Sequence, residues 1–174
     1  DQIPFQYSLH VIANPGAELH HLEFLQDSSS NPIEAICKSM VSHFGNVGSI
    51  ITWNSSFEKA RNTRLAELLP QYQEFLSNLN SRIVDLMDPF VAGFYVHKGF
   101  GGRTSIKNVL PVLVPELSYK ELEIHEGGSA SRLWMDAVLY EKPGLNKAKI
   151  LKDLKEYCHL DTLAMVKIFE YLKK

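Results

Sequence analysis

From Asn146 to Lys174 the chain contains no glycine and no proline. Within that stretch Leu154, Cys158, Asp161, Met165, Ile168 and Leu172 recur at alternating spacings of four and three residues, which is one face of a single helix. Asp161 therefore falls in the middle of an apolar stripe. Burying an unpaired carboxylate there costs on the order of several kcal/mol, so it must be neutralised, hydrogen-bonded to donors, or turned toward a cation. Tyr157 precedes it by four residues, one helical turn, so its phenol reaches the same space. A hydrogen-bonded pair that locks the last helix and a pair that serves chemistry both fit this spacing.

The rest of the composition limits what surrounds that helix. A chain of 174 residues with 45% hydrophobic and 22% charged positions suits one globular domain over 1–174 with a full core. No apolar run reaches the ~18 residues of a membrane span, and Asp1-Gln2-Ile3-Pro4 does not begin like a signal peptide, so no membrane and a cytoplasmic location are the expectation. Cys37 and Cys158 lack metal-ligand spacing, which suits a reducing compartment. A net charge of −2 excludes a protein that coats nucleic acid by bulk charge, while a local basic surface stays open.

The amino-terminal third reads as hairpin, helix, strand. Phe5, Tyr7, Leu9 and Val11 alternate with Gln6, Ser8 and His10, Asn14-Pro15-Gly16 supplies a turn, and Leu19 to Leu25 is a second strand, so an antiparallel hairpin is predicted. His21 and Glu23 share a face of that second strand. Two such side chains could ligate a metal, but a solvated face is the expected arrangement and neither is given a role. Pro32 opens a helix carrying Ile33, Ile36, Cys37, Met40, Val41 and Phe44, with Gly45 as its stop. The β-branched run Gly48 to Asn54 then reads as a buried strand, which makes the order α/β.

Asn54-Ser55-Ser56-Phe57-Glu58 leads from that strand into a helix ending near Leu69. Ser55-x-x-Glu58 has the form of a capping box, in which the serine bonds forward and the glutamate reaches back. Glu58 also stands at the carboxyl end of a central strand, where open α/β sheets place their sites, and both readings stay open. A further helix from Tyr72 to about Asp85 follows, with Asp85 read as a capping or pairing residue. Between Pro89 and Pro115 there is no Asp or Glu, whereas His97, Lys98, Arg103 and Lys107 occur among Phe94, Tyr95 and Phe100. That mixture suits a groove for phosphates and stacked bases, and equally a glycine loop over the edge of a core. Ser105 is expected to cap a short helix ending near Pro111, and a helical run is expected from Ser129 to Tyr140. Asp136 and the lysines of the last helix are read as exposed charges.

Four segments occur in one order: Ile-Pro-Phe-Gln-Tyr-Ser-Leu-His at 3–10, Trp-Asn-Ser-Ser-Phe-Glu at 53–58, Thr-Ser-Ile-Lys-Asn-Val-Leu-Pro at 104–111 and Tyr-Cys-x-x-Asp-Thr-x-Ala-Met at 157–165. Together they resemble the bacterial domain of unknown function 2779, a branch of the DnaQ-like, ribonuclease H-like 3′–5′ exonuclease superfamily, over nearly the whole chain. Asn54-x-x-Phe57-Glu58 is similar to the second motif of those enzymes, usually Asn-x-x-Phe-Asp, and Tyr157-x-x-x-Asp161 to the third motif of the tyrosine subclass. The resemblance implies a mixed sheet flanked by helices and removal of nucleotides from a single-stranded DNA or RNA 3′ end with Mg²⁺ or Mn²⁺. It implies Asp161 as a metal ligand, Glu58 as a second or outer ligand, and Tyr157 as the group orienting the attacking water. Asn54, Arg103, Ser105 and Lys107 would then face the nucleic acid.

The family's first motif, Asp-x-Glu on the first central strand, precedes the segment with which this sequence begins. The expectation is a fragment of a longer protein, catalytically incomplete as written, with that strand missing or supplied by another segment. Exposed sheet edges would then favour a homodimer or strand exchange. The alternative is a non-catalytic module that holds single-stranded nucleic acid or a partner domain, or a scaffold within a larger helicase-like or nuclease-like protein.

Overall fold

A computed structural model describes residues 3–120, 122–124 and 126–174. The chain is α/β. Its described elements run β1 (Gln6–Ile12), β2 (Leu19–Leu25), α1 (Pro32–His43), β3 (Ile50–Thr52), α2 (Ser55–Leu68), α3 (Gln73–Arg82), β4 (Ile83–Asp85), α4 (Asp88–Val91), α5 (Ile106–Leu113), α6 (Gly127–Trp134) and α7 (Lys147–Leu172). The described strands form two two-stranded ladders, β1 with β2 antiparallel and β3 with β4 parallel. No described helix is long and apolar enough to cross a membrane. The chain divides into two compact units, one of residues 4–36 and 119–163, the other of 1–3, 37–118 and 164–174.

In the first of these units the hairpin forms as the alternation predicts. Its core gathers Ile124, Ala130, Trp134, Ala137, Val138 and Leu154, with Phe5, Leu25 and Tyr157 packed on them. Trp134 holds the cluster together. Its ring stacks on Phe5 with centroids 4.3 Å apart, and its Nε1–H donates to the Gln26 carbonyl at 2.6 Å, so the one polar atom of a buried indole is satisfied. The run expected from Ser129 to Tyr140 starts instead at Gly127 and widens after Trp134 into a π-helical turn, Met135–Leu139. That turn closes with the Tyr140 N–H on the Met135 carbonyl at 2.9 Å and buries Ala137 and Val138, the gain that offsets its looser geometry.

The other unit is built on β3 and β4, in register Ile50 to Ile83, Ile51 to Val84 and Thr52 to Asp85. Arg82 closes the turn before β3, its guanidinium donating to the carbonyls of Gly45, Val47 and Gly48. Asn62 donates to Asn80 at 2.8 Å where α2 meets α3. The helix expected to stop near Pro111 continues to Leu113 with the proline inside it. Proline there forfeits one backbone hydrogen bond, while the extra turn buries Leu113 beside Val109 and Leu110. Phe90, Tyr95 and Phe100 form an aromatic cluster with ring centroids 5.8 to 6.2 Å apart, so the acid-free segment contributes core as well as surface. Trp134→Ala should lower the free energy of unfolding by about 3–5 kcal/mol, and Trp134→Phe, which keeps the stack but leaves the Gln26 carbonyl bare, by about 1–3 kcal/mol. Urea denaturation of the three proteins measures both losses.

Candidate functional site

The end of β3 departs from the capping-box expectation. Helix α2 starts at Ser55 with Asn54 as its N-cap, and no side chain of the cap closes the turn. Asp85, at the end of the neighbouring strand, does so instead. Its Oδ2 accepts from the Ser55 N–H at 2.6 Å, and its Oδ1 accepts from the Asn54 and Met87 N–H groups, each at 3.0 Å. A carboxylate at a helix N-terminus is favoured by the exposed amides and the dipole, which is why β4 outcompetes the local serine. Burial alone would raise the Asp85 pKa, but the backbone donors of Ser55, Met87 and Asn54 outweigh it and hold it below its ordinary value.

Asn54 pays a conformational cost in this junction, adopting left-handed φ and ψ of 68° and 65°. Asparagine tolerates that region better than other side chains, and strain of this kind concentrates where a strand must deliver residues to a site. The Trp53 Nε1–H donates to the Thr104 carbonyl at 3.1 Å, which fixes the chain beside Asn54 next to the chain carrying Arg103 and Ser105. Arg103, Ser105 and Lys107 are exposed. Ser105 is the N-cap of α5, but its hydroxyl donates to Asn108 Oδ1 at 2.6 Å and accepts no helix N–H.

Freed from capping, Glu58 is half-buried, and its Oε2 has no hydrogen-bond partner among the described residues; the buried Thr52 hydroxyl has none either. Burial, together with the Asp85 charge and against a backbone hydrogen bond, pushes the Glu58 carboxyl up to about 7. Near neutrality this carboxyl is poised between its two forms.

In the other unit, α7 presents two polar faces. On one, Tyr119 Oη donates to Asp161 Oδ1 at 2.6 Å, and Tyr157 is also hydrogen-bonded to that carboxylate, with the two phenol rings 6.3 Å apart. Burial and the Asp161 charge raise both phenols above their ordinary value, so they are donors and not bases. Burial first, then Asp161 and Glu23, pushes the Cys158 thiol up to about 12, which keeps it protonated.

The other face of α7 meets the polar side of the hairpin, which corrects the expectation of a solvated strand face for His21 and Glu23. Gln6 donates to the Leu154 carbonyl at 2.9 Å, and Glu23 pairs with Lys155 at 2.8 Å. Thr162 Oγ1 lies 2.7 Å from Ser8 Oγ and 2.8 Å from His10 Nδ1, while Ser8 Oγ lies 2.8 Å from His21 Nε2. His10 and His21 are direct cross-strand partners, and their ring centroids lie 4.7 Å apart and 4.9 and 4.3 Å from that of His159. Burial, then His21 and His159, lowers the His10 pKa to about 4, and burial with His159 lowers that of His21 against Glu23. A hairpin centred on Pro15-Gly16 already places residue 10 opposite residue 21; that α7 would bring His159 to them has no signal in the sequence.

Among the described residues, the group of three or more His, Cys, Asp or Glu side chains that converges well enough to hold a metal is His10, His21 and His159, and no such group contains a carboxylate.

These features define an α/β chain with a polar seam between a hairpin and its last helix, and a strained strand-to-helix junction. The chain belongs to the domain of unknown function 2779 family, whose model matches residues 1–105. It is 29% identical over 136 residues to an uncharacterized protein of Mycoplasma pneumoniae, covering 72% of this chain and 20% of that protein. It is 28% identical over 148 residues to an uncharacterized protein of Ureaplasma parvum, covering 76% and 21%. The chain thus spans about a fifth of the length of the curated relatives it matches. No solved structure matches.

The Glu58 shift has a stability consequence. Its folded pKa, about 7, lies above its ordinary value of 4.5, so the native state holds the proton more tightly. The contribution is fully present below about pH 4.5 and is lost as pH rises through about 7. Glu58→Gln, an isostere of the protonated form, should remove that loss. Chemical denaturation of both proteins from pH 5 to 8 should show the unsubstituted chain falling relative to the variant as pH rises.

Proposed function

We propose that this chain is part of a ribonuclease H-like, 3′–5′ exonuclease-type domain that processes the ends of DNA or RNA. The observation that carries this reading is Glu58: a half-buried carboxylate whose Oε2 has no hydrogen-bond partner among the described residues, in the first turn of the helix that follows parallel strand β3, in a segment of the form Asn-x-x-Phe-Glu. A divalent cation is the partner that would satisfy such an oxygen and return the carboxyl to its charged form. Asp161, the second carboxylate of the resemblance, is held in place by two phenol donors. Two-metal hydrolysis calls for more carboxylates than these two, and an active protein would draw the others from outside this stretch.

On this reading the chain's own residues position and neutralise. Tyr119 and Tyr157 fix the Asp161 carboxylate, and Asp85 rigidifies the turn that delivers Glu58. Arg103 and Lys107, in a segment without acids, would contact phosphates, with Ser105 and Asn54 near the strand backbone. A second reading, a module that binds single strands without cutting, rests on that same exposed basic segment.

Hydrolysis of a 5′-labelled single strand in Mn²⁺ separates the two. The full-length protein should trim the 3′ end, and Asp161→Asn or Glu58→Gln within it should each lower the rate by about 100-fold or more. A full-length protein that is inert, yet binds the strand in EDTA with steep salt dependence, would overturn the nuclease reading and establish the binding module.

A further inference from the structure

We infer that His10, His21 and His159 form a binding site for a divalent transition ion of the zinc class, separate from the carboxylates discussed above. One ring nitrogen from each lies within 4.8 Å of the other two. Zinc bound to imidazole at ~2.0–2.1 Å sets its ligand nitrogens ~3.4 Å apart in a tetrahedron. The rings must therefore draw together by about an ångström, which rotation about their side-chain bonds supplies.

The protons around Thr162 decide which nitrogens face the ion. Thr162 Oγ1 lies 3.3 and 3.2 Å from the carbonyl oxygens of Cys158 and His159, which only accept, so its single proton goes to them. In that arrangement Ser8 donates to Thr162, and the His10 Nδ1–H donates to Thr162 as well. With its proton spent, Ser8 accepts from the His21 Nε2–H. With the Thr162 proton shared between the two carbonyls, this assignment accounts for every contact. It leaves a lone pair on His10 Nε2 and another on His21 Nδ1, and it fixes both tautomers through hydroxyl partners on the far nitrogen, as partners behind metal-binding histidines do. Cys158 and His159 also belong to the last helix, so an ion held by all three rings ties β1 and β2 to α7 within one compact unit.

Three imidazole ligands without a carboxylate favour zinc, cobalt, nickel or copper over magnesium or calcium. They leave a fourth position for water. The side chains are half-buried, so an ion can reach them from solvent.

The test titrates the chelator-treated chain with Zn²⁺ alone and with Co²⁺ as a spectroscopic probe. One ion per chain should bind, with the visible absorption of a tetrahedral nitrogen and oxygen site and no thiolate band. His21→Ala and His159→Ala should each weaken binding by about 100-fold or more, Thr162→Val by about 10-fold, and His20→Ala should leave it unchanged. In the unsubstituted chain, Zn²⁺ should shift the nitrogen resonances of His10 Nε2 and His21 Nδ1, which reads the site even where a variant fails to fold. Binding that survives His159→Ala, a thiolate band, shifts confined to other histidines, or no saturable binding would each overturn the site. Neither result depends on nuclease activity.

Discussion

One hydroxyl proton organises the polar seam of this protein. Thr162 has more neighbours than it has protons, with two carbonyls of its own helix, Ser8 and His10 all within hydrogen-bond distance of its Oγ1, and on the assignment inferred above it donates to its helix and accepts from the hairpin. Everything on the hairpin side follows from that. Ser8 becomes a donor and then an acceptor from His21, and two strands are held to a helix by oriented hydrogen bonds where apolar packing would have allowed sliding. A seam of this kind is costly when half-satisfied and specific when complete, which is why Gln6, Ser8, His10 and Glu23 each find a partner on α7.

The other unit is governed by a carboxylate in a comparable position of control. Asp85 gathers three backbone amides from two segments, Asn54 and Ser55 before α2 and Met87 after β4. By capping α2 across the sheet it releases Glu58 from the role its spacing suggests, and Glu58 is left with a bare oxygen and a raised pKa. Function-like features here arise from a structural substitution: once one acid satisfies the helix, the second is free to be unsatisfied.

The two polar centres differ in the chemistry they suit. The histidine cluster offers three ring nitrogens, two of the rings held by hydroxyls, whereas Asp161 offers a carboxylate held by a phenol. Family membership places the chain among proteins of unknown function, so the physical character of these side chains carries the functional argument.

What the sequence determined by itself is the local order. Alternation produced the β1–β2 hairpin, the glycine-free and proline-free stripe produced α7, and the spacing of Tyr157 and Asp161 put them on one face, because these periodicities depend only on the geometry of strand and helix. The short run at Ile50–Thr52 and the helix starting at Pro32 were legible for the same reason. Tertiary structure decided the rest. Pro111 stays within a helix because burial of Leu113 outweighs a lost hydrogen bond, and Asp85 replaces Ser55 as cap because a charged acceptor across the sheet is stronger than a hydroxyl nearby. His21 leaves the solvated face assigned to it because α7, far along the chain, covers that face with Thr162 and His159. Alternation says which side chains share a side of a strand; only the docking of a distant helix says whether that side is wet.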